Sequence, residues 1–451
     1  MGGSSSKIST VRSGDGPAFS TGAPIPGLLL AWAPAGASPT DRARIGDGIT
    51  VGRSSGATWT ISDERLSGTH LRVRPFGSTF LVEDLASTNG TFAGAERVGD
   101  PRPVGPGEVV RAGRCVFVVE ADLGRLEAPA APPPDIVGRF HAPALVHALD
   151  VAAQTERHLL LAGESGTGKE LCTKHLHRAL RPGSPFVAHN CARFASVEEA
   201  ETTLYGVGRG VFSGVEARAG LLEDAEGGLL FLDELHVLPL RVQQSLLRFV
   251  EDGLHARIGA QGPRPLTVRL VFGTNAADGS TEIADDLVAR LRVVRVPPLS
   301  ERRADVPEIF RSALDRSARA QGVAMDTIAP SLTADHAEAL CLADFSARNV
   351  RALEGIADEI AARVRRGEDP TAAVRRVFGD RLGDSPVARR GESDPDDSSH
   401  YDKNRERIVE AFHASRGNLS ETERTLKAEG LRVSRRWLAE FLRKWGVRAA
   451  R

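Results

Sequence analysis

Residues 163–170, GESGTGKE, bring three glycines and a lysine together at a spacing suited to holding a chain of phosphates. Gly163, Gly166 and Gly168 let the backbone come close to an anion, and the N–H groups of the turn and of the following helix start point at it. Lys169 adds a cation that reaches the outer phosphates. Glu164, Ser165 and Thr167 fill the loop, and Glu170 stands where the general G-x-x-x-x-G-K-[ST] pattern has a hydroxyl for magnesium. Further along, GLLFLDE (228–234) ends an apolar run on two carboxylates. Asp233 is placed to hold Mg²⁺ through water and Glu234 to polarise an attacking water. A polyphosphate cradle with an acidic pair downstream is the chemistry of nucleotide hydrolysis.

These residues need a scaffold that holds them at one edge. The run before the loop, HLLLA (158–162), has the continuous apolar character of a buried parallel strand. The run after it spaces Leu171, Leu176, Ala179 and Leu180 as a helix does. A third apolar run, LTVRLVFGTN, ends at Asn275. Strands whose carboxyl ends carry chemistry are the rule for ligand sites in open α/β sheets. From Glu301 to about Arg366 the pattern turns helical, with Ile309, Ala313 and Leu314 in one run and Leu353, Ile356 and Ile360 in another, as in a small helical lid.

The totals set bounds on the rest. A chain of 451 residues is too long for one core, and length alone predicts about three domains. Hydrophobic residues at 41% and charged residues at 26% fit a globular protein. The four cysteines lie far apart without C-x-x-C or zinc spacing, so a reducing, cytoplasmic setting is expected. No apolar run approaches the roughly 18 residues of a membrane span, so no membrane partner is expected. His175 and His177 sit two apart on a helix and face different ways, which favours structural histidines over a metal site.

Before the nucleotide loop, short strand-like runs (LLLAW, ITVG, HLRVRP, TFLVED, CVFVVE) are broken by Gly, Pro, Asn and Asp, the pattern of an all-β sandwich. Its loops carry Gly52-Arg53, Ser67-Gly-Thr-His70 and Ser87-Thr-Asn-Gly-Thr91. This set resembles the forkhead-associated (FHA) domain, a reader of phosphothreonine. The resemblance implies a phosphate held by Arg53, Ser67 and Thr88, a guanidinium fork with hydroxyl and amide donors. It also implies a peptide backbone held by Asn89, loops braced by His70, and a phosphothreonine-bearing protein or Ser/Thr kinase as partner. Taken as bare residues, Arg53 and Asn89 can instead stabilise turns.

GESGTGKE in turn resembles the loop of the bacterial enhancer-binding AAA+ ATPases that open promoters held by sigma-54. The resemblance implies ATP with Mg²⁺, and adenine against Ile136, Val137 and Gly138. Asn275 would be a sensor of the γ-phosphate. Arg290, in ADDLVARL, would reach a neighbour's ATP in a homo-oligomeric ring, a hexamer. Arg351, in RNVRALEG, would be the lid's phosphate-facing residue. Residues 210–215 (Gly210, Val211, Phe212, Ser213, Gly214, Val215) stand where the family's GAFTGA loop touches sigma-54 RNA polymerase. Ala284 replaces one of two arginines that the family carries at the subunit edge, and Arg348 replaces a glycine.

The tail is basic. From Lys403 to Arg451 there are 13 Lys and Arg against 6 Glu, a net of +7 in a chain whose total is −1. Three amphipathic runs after a polar tether resemble the Fis-type helix-turn-helix, particularly at RGN (416–418). Ser434 caps the last helix, and Arg435 and Arg436 at its start can reach bases or phosphates of an enhancer-like DNA site.

The expected architecture is multidomain: an all-β FHA sandwich, an α/β AAA+ ATPase with a helical lid, and an all-α helix-turn-helix. The boundaries are a disordered start (1–24), the sandwich (25–120), a Pro-rich linker (121–134), the ATPase (135–300), the lid (301–380), a tether (381–400) and the DNA-binding tail (401–451). The implied function is a regulator that binds DNA, senses a phosphothreonine partner and spends ATP on sigma-54 polymerase. Ala284, Arg348 and the altered 210–215 loop leave a second reading open, a sigma-54-independent regulator or repressor with a weak or vestigial ATPase.

Overall fold

The computed structural model describes residues 23–38, 40–127, 132–209, 217–260, 262–275, 283–383 and most of 404–447; within the last stretch 416, 430, 432, 434–437, 439–441 and 443–446 lie outside the description. The chain divides into two compact units, Met1–Arg381 and Leu382–Arg451.

The first unit opens with eleven strands: β1 (Gly27–Trp32), β2 (Arg42–Arg44), β3 (Ile49–Gly52), β4 (Trp59–Thr60), β5 (Leu71–Phe76), β6 (Thr79–Asp84), β7 (Thr91–Ala93), β8 (Glu96–Arg97), β9 (Arg102–Val104), β10 (Val109–Ala112) and β11 (Cys115–Glu120). They form two sheets, ordered β2-β1-β11-β10-β7-β8 and β4-β3-β5-β6-β9. Alternate residues of β3, β5 and β11 fill the space between the sheets, where Trp59 meets Phe117 edge-on at 5.5 Å. This is the expected sandwich, with the five expected runs among its strands.

The second body of this unit is a five-stranded parallel sheet ordered β13-β14-β17-β12-β18, built from β12 (Leu159–Ala162), β13 (Phe186–Asn190), β14 (Leu229–Asp233), β17 (Arg269–Thr274) and β18 (Arg292–Arg295). A small hairpin, β15 (Leu254–His255) with β16 (Arg264–Pro265), stands apart from it. Helices α1 (Ala142–Ala153), α2 (Lys169–Leu180), α3 (Val197–Tyr205), α4 (Leu221–Asp224), α5 (Leu240–Asp252) and α6 (Asp285–Arg290) accompany the sheet. Both sheet faces are covered. Leu160, Leu230, Leu232 and Phe272 pack into one core, while Leu159, Leu161, Leu229 and Phe231 pack into the other. Burial on two sides is why these strands read as unbroken apolar runs rather than alternating ones.

The lid follows as α7 (Val306–Ala320), α8 (Met325–Ile328), α9 (Ala334–Leu342), α10 (Val350–Arg365) and α11 (Pro370–Leu382). The sandwich does not hang free of it. Leu29, Ala31, Val109, Val116 and Val118 on the outer face of one sheet share a core with Phe140 and with Ala304, Ala337 and Cys341 of the lid. Arg111 of β10 pairs with Asp335 and, at 3.0 Å, with Glu338, whose side chain is 1% exposed. Arg139 donates to the carbonyls of Leu30 (3.3 Å) and Ala31 (3.2 Å), and Arg303 to that of Gly107 (3.3 Å).

The second unit, taken by itself, contains α12 (Arg405–Ala414) and α13 (Leu419–Ala428) around Ile408, Phe412, Leu426, Val433, Leu438 and Leu442. Leu438 lies in this core. The residues chosen for DNA contact, Ser434, Arg435 and Arg436, lie outside the described residues. Among the described residues, no helix is long and apolar enough to cross a membrane and all four cysteines are free and buried.

One buried titratable group ties stability to pH. The Leu270 N–H donates to Nδ1 of His158 at 3.0 Å, and burial, with Arg269 nearby, pushes that imidazole down from 6.5 to about 4. The folded protein therefore refuses a proton that the unfolded chain accepts. Stability is full above 6.5 and falls as the pH drops toward 4, by up to about 3 kcal/mol. Denaturant midpoints measured at about pH 7 and about pH 5 should separate accordingly, and His158→Asn, which keeps an acceptor but cannot titrate, should shrink the gap.

Candidate nucleotide site and phosphopeptide loops

Strand β12 delivers the chain to the 163–168 loop, and α2 starts at Lys169. Gly166 and Gly168 sit at φ 76° and 104°, values that a side chain resists. At Gly163 and Gly166 the space is also missing. A Cβ would come within 2.6 Å of the Val296 carbonyl oxygen at the first and 2.0 Å of the Arg348 carbonyl oxygen at the second. Lys169 is 5% exposed, and its Nζ donates to the carbonyls of Gly163 (2.9 Å) and Glu164 (3.3 Å). Burial lowers its pKa, while Asp233 and Glu234 work against that shift. A buried ammonium held by loop carbonyls and faced by two carboxylates fits a polyphosphate.

The acidic pair ends β14 as expected. Glu234 takes a left-handed turn (φ 58°), and its N–H donates to Asp233 Oδ1 at 3.0 Å. Gly273 on the neighbouring strand makes the room, since a Cβ there would lie 2.2 Å from that same oxygen. His236 Nε2 holds the Glu234 carboxylate at 3.4 Å, and its Nδ1 meets Thr274 Oγ1 at 3.3 Å. Asn275 follows Thr274 at the end of β17 and is exposed. Among the described residues, no three His, Cys, Asp or Glu side chains gather as a metal cage. One carboxylate beside substrate phosphates is how Mg²⁺ is commonly held, so Asp233 fits that ion without such a cage.

Ile136 and Val137 line a cleft together with Thr167, Gly168, Arg302 and Val350, so the segment chosen for adenine does lie beside the phosphate loop. Gly138 (φ 147°) packs against the Asp305 carboxylate, which accepts from the N–H groups of Phe140 and His141 at 2.9 Å. Glu170 is turned to the helix surface and pairs with Lys174 at 2.8 Å.

The lid closes the site through a residue that sequence reading passed over. Asn349 is 1% exposed and strained, at φ 47° and ψ −126°. Its Nδ2 donates to Glu164 Oε2 (2.9 Å) and to the Ser165 carbonyl (3.2 Å), while its Oδ1 accepts from the Leu299 N–H (2.8 Å). The next residue's N–H, of Val350, donates to the Gly166 carbonyl at 3.0 Å. Arg351 reaches Ser165 Oγ of the glycine loop at 3.4 Å. Arg302, 5% exposed, donates to the Thr167 carbonyl at 2.9 Å and leaves its buried Nε unpaired. Neither Asn349 nor Arg302 carries a periodic signal; the one clue was Asn349's place two residues before Arg351. Asn349→Asp keeps the acceptor for Leu299 but sets a second carboxylate against Glu164, so nucleotide affinity should fall by roughly tenfold or more in a direct titration.

Arg290 ends α6 half-exposed, paired with Glu251 at 3.0 Å, and is not gathered with the other site residues. Residues 210–215 lie outside the described residues. The stem on either side is described: Val207 bridges Arg218 and Ile258, and a Cβ at Gly206 would strike the Arg218 carbonyl at 2.5 Å. That stem leans on the hairpin strands, which Glu223 anchors by accepting from Arg257 (2.7 and 2.8 Å), Arg264 (3.1 Å) and His255 (3.2 Å). The hydrogen bonds from Arg257 above all hold the Glu223 carboxyl down at about 2.

In the sandwich, the three loop motifs meet at one end. The Arg53 N–H donates to the Ser67 carbonyl (2.9 Å) and the Thr88 N–H to Ser67 Oγ (3.1 Å). Arg53 and Thr88 are exposed. His70 is fully buried, accepting at Nδ1 from the Ser67 N–H (3.0 Å) and donating from Nε2 to the Gly90 carbonyl (3.1 Å), so it braces the loops as expected. Asn89 Nδ2 donates to the Arg65 carbonyl at 2.7 Å, which fixes that side chain against the loop before Ser67.

Comparison with known proteins matches residues 139–297 to the sigma-54 interaction domain and residues 49–113 to the FHA domain. The chain carries one of each. The sigma-54 interaction domain is of the ATP-binding AAA+ type, so the sandwich and the α/β body with its lid form a multidomain protein of those two kinds. Among curated relatives, the nitric oxide reductase transcription regulator NorR1 of Cupriavidus necator is 38% identical over 287 residues, 57% of this chain and 54% of its own. The DNA-binding transcriptional regulator NtrC of Escherichia coli is 38% identical over 216 residues, 45% of each chain. The sigma54-dependent transcriptional regulator SfnR of Pseudomonas fluorescens is 37% identical over 196 residues, 42% of this chain and 53% of its own. The chain thus spans about half the length of the curated relatives it matches. Among solved structures, NtrX from Brucella abortus aligns over 70% of each chain with a TM-score of 0.47 and 26% identity.

Proposed function

We propose that this chain is an ATP-hydrolysing transcriptional regulator that acts on sigma-54 RNA polymerase, binds DNA through residues 401–451, and senses a phosphothreonine-bearing partner through its FHA domain. The observation that carries the reading is convergence. Lys169, the Asp233–Glu234 pair and the lid's Asn349 and Arg351 come from three separate stretches and meet around one glycine loop.

Within that reading, Gly163–Lys169 bind the triphosphate of ATP, and Ile136, Val137 and Gly138 receive the base. Glu234, steadied by His236, takes the position of water-polarising carboxylate. Asp233 would hold Mg²⁺, which when bound neutralises charge on the outer phosphates. Asn275 and Arg351 are the groups set to register the γ-phosphate. Arg290, on the surface at the end of α6, is the guanidinium available to a neighbouring subunit in a ring, a hexamer. The stem at Val207 and Arg218 flanks residues 210–215, which are the segment offered to polymerase, and Ser434, Arg435 and Arg436 are the residues offered to DNA.

The FHA domain's position supports regulation of the ATPase. Its phosphate-binding loops spring mainly from the sheet containing β3, β5 and β6, whereas its docking face on the lid belongs to the sheet containing β1, β10 and β11. A phosphopeptide can therefore be held without undocking, and its binding is passed to the lid through that face.

Purified chain, sigma-54 polymerase and a closed sigma-54 promoter, with a phosphothreonine peptide supplied, should yield open complexes only with hydrolysable ATP. Phosphate release without open complexes would move the reading to a sigma-54-independent regulator. Absence of both would end the ATPase proposal.

A further inference from the structure

We propose that the edge of the parallel sheet opposite the nucleotide loop holds a second anion site, one that takes a small phosphorylated molecule. A cavity of about 430 Å³ lies there, lined by Leu180, Arg181, Pro182, Ser184, Gly227 and Arg269. Ser184 and Gly227 lie two residues before β13 and β14 begin, and Arg269 is the first residue of β17. All three mark the amino ends of strands whose carboxyl ends face the nucleotide loop. Arg181 caps the far end of α2, the 12-residue helix that begins at Lys169, so the two sites are separated by roughly 18 Å of helix.

The chemistry of the walls selects the ligand. Arg181 Nη1 donates to the Gly227 carbonyl at 3.0 Å, and Arg269 Nη2 donates to the Thr155 carbonyl at 2.6 Å. Neither guanidinium is within ion-pair distance of a carboxylate among the described residues, although Glu156 is near enough to attract Arg269 electrostatically. Arg269 Nε is buried without any hydrogen-bond partner, a state that carries a desolvation cost. Burial depresses the Arg269 pKa and the charge of Arg181 depresses it further, so the two cations feel each other. A dianion between them removes the repulsion and supplies the missing acceptor, and tetrahedral oxygens suit the guanidinium fork. Ser184 Oγ, 2.6 Å from the Arg181 carbonyl and 3.3 Å from His177 Nε2, adds a hydroxyl at the rim. The carbonyl end of α2 opposes an anion here, which leaves the guanidiniums to supply the attraction.

Size points beyond free phosphate. The cavity falls within the range of about 300–1,000 Å³ common for small-molecule sites, far more than one phosphate fills. Leu180 and Pro182 provide an apolar wall for an organic remainder.

The test uses the full-length chain with Arg53→Ala and Lys169→Ala, which silence the other two places where phosphate is expected to bind. Calorimetric titration with phenyl phosphate should show one saturable site, and inorganic phosphate should compete for it more weakly. Equal affinities would keep the site and assign it to free phosphate. Arg181→Gln and Arg269→Gln should each weaken phenyl phosphate by at least about tenfold. Should Arg269→Gln disturb folding, as judged by circular dichroism, Arg181→Gln carries the test alone. No saturable binding of either probe, or affinity indifferent to these substitutions, would overturn the proposal.

Discussion

Replacing Lys169 by alanine is expected to abolish ATP binding by the full-length chain while leaving its circular dichroism and its melting transition largely intact. The lysine spans no hydrophobic core. Its ammonium is held by two loop carbonyls, Gly163 and Glu164, in a site otherwise bounded by the Asp233 and Glu234 carboxylates. Without that cation, the Asp233 and Glu234 carboxylates repel a triphosphate and Arg351 is left to oppose them. Charge-assisted contacts of this kind are about twice as strong as neutral ones, so a loss of about 3 kcal/mol or more, at least a hundredfold in affinity, is the expected scale. Titration with a fluorescent ATP analogue reads it directly, and near-parental affinity in Lys169→Ala would remove the nucleotide site from this loop. Asp233→Ala is the informative contrast, because it should spare binding and stop turnover.

The second large effect is expected at the joint between the FHA domain and the lid. Arg111→Ala removes the cation from Glu338, whose side chain is 1% exposed, and from Asp335. Burial alone would lower the Arg111 pKa, yet the two carboxylates together hold it above its ordinary value. Breaking a buried pair from one side strands a charge in low dielectric, and the usual cost is about 3–5 kcal/mol. The FHA domain should then separate from the lid in thermal unfolding, giving two transitions or early proteolysis near Phe140. A second substitution separates the stranded charge from simple loss of contact. Glu338→Met in the Arg111→Ala background should recover much of the loss, because it removes a buried carboxylate that has lost the Arg111 charge. If the double variant is as unstable as the single one, the interface is held by its apolar residues and not by this pair.

Local chemistry was legible along the chain wherever a short stretch carries its own purpose. The glycines and lysine of GESGTGKE carry their spacing whatever surrounds them, and a strand buried on both faces reads as an unbroken apolar run such as GLLFLD. The sandwich strands, the parallel strands and the lid helices followed from the same short-range periodicity. His70 could be placed as a brace between loops because it sits within a recognisable motif.

What the sequence could not declare are relations between residues far apart in it. Asn349 lies 185 positions from Glu164, and Glu338 lies 227 from Arg111. Gly273 matters only because Asp233 of the neighbouring strand needs its missing side chain. The expected linker between sandwich and ATPase hid a docked interface, since Leu29, Val109 and Val116 look like ordinary outward residues of a strand until the lid covers them. Periodicity reports which face of an element is apolar but not what lies against it. The residues alone therefore determined which chemistry is present and on which elements it rides. Tertiary packing alone decided that the lid locks onto the glycine loop, that the sandwich is clamped to the lid, and that two arginines line one cavity at the far edge of the sheet.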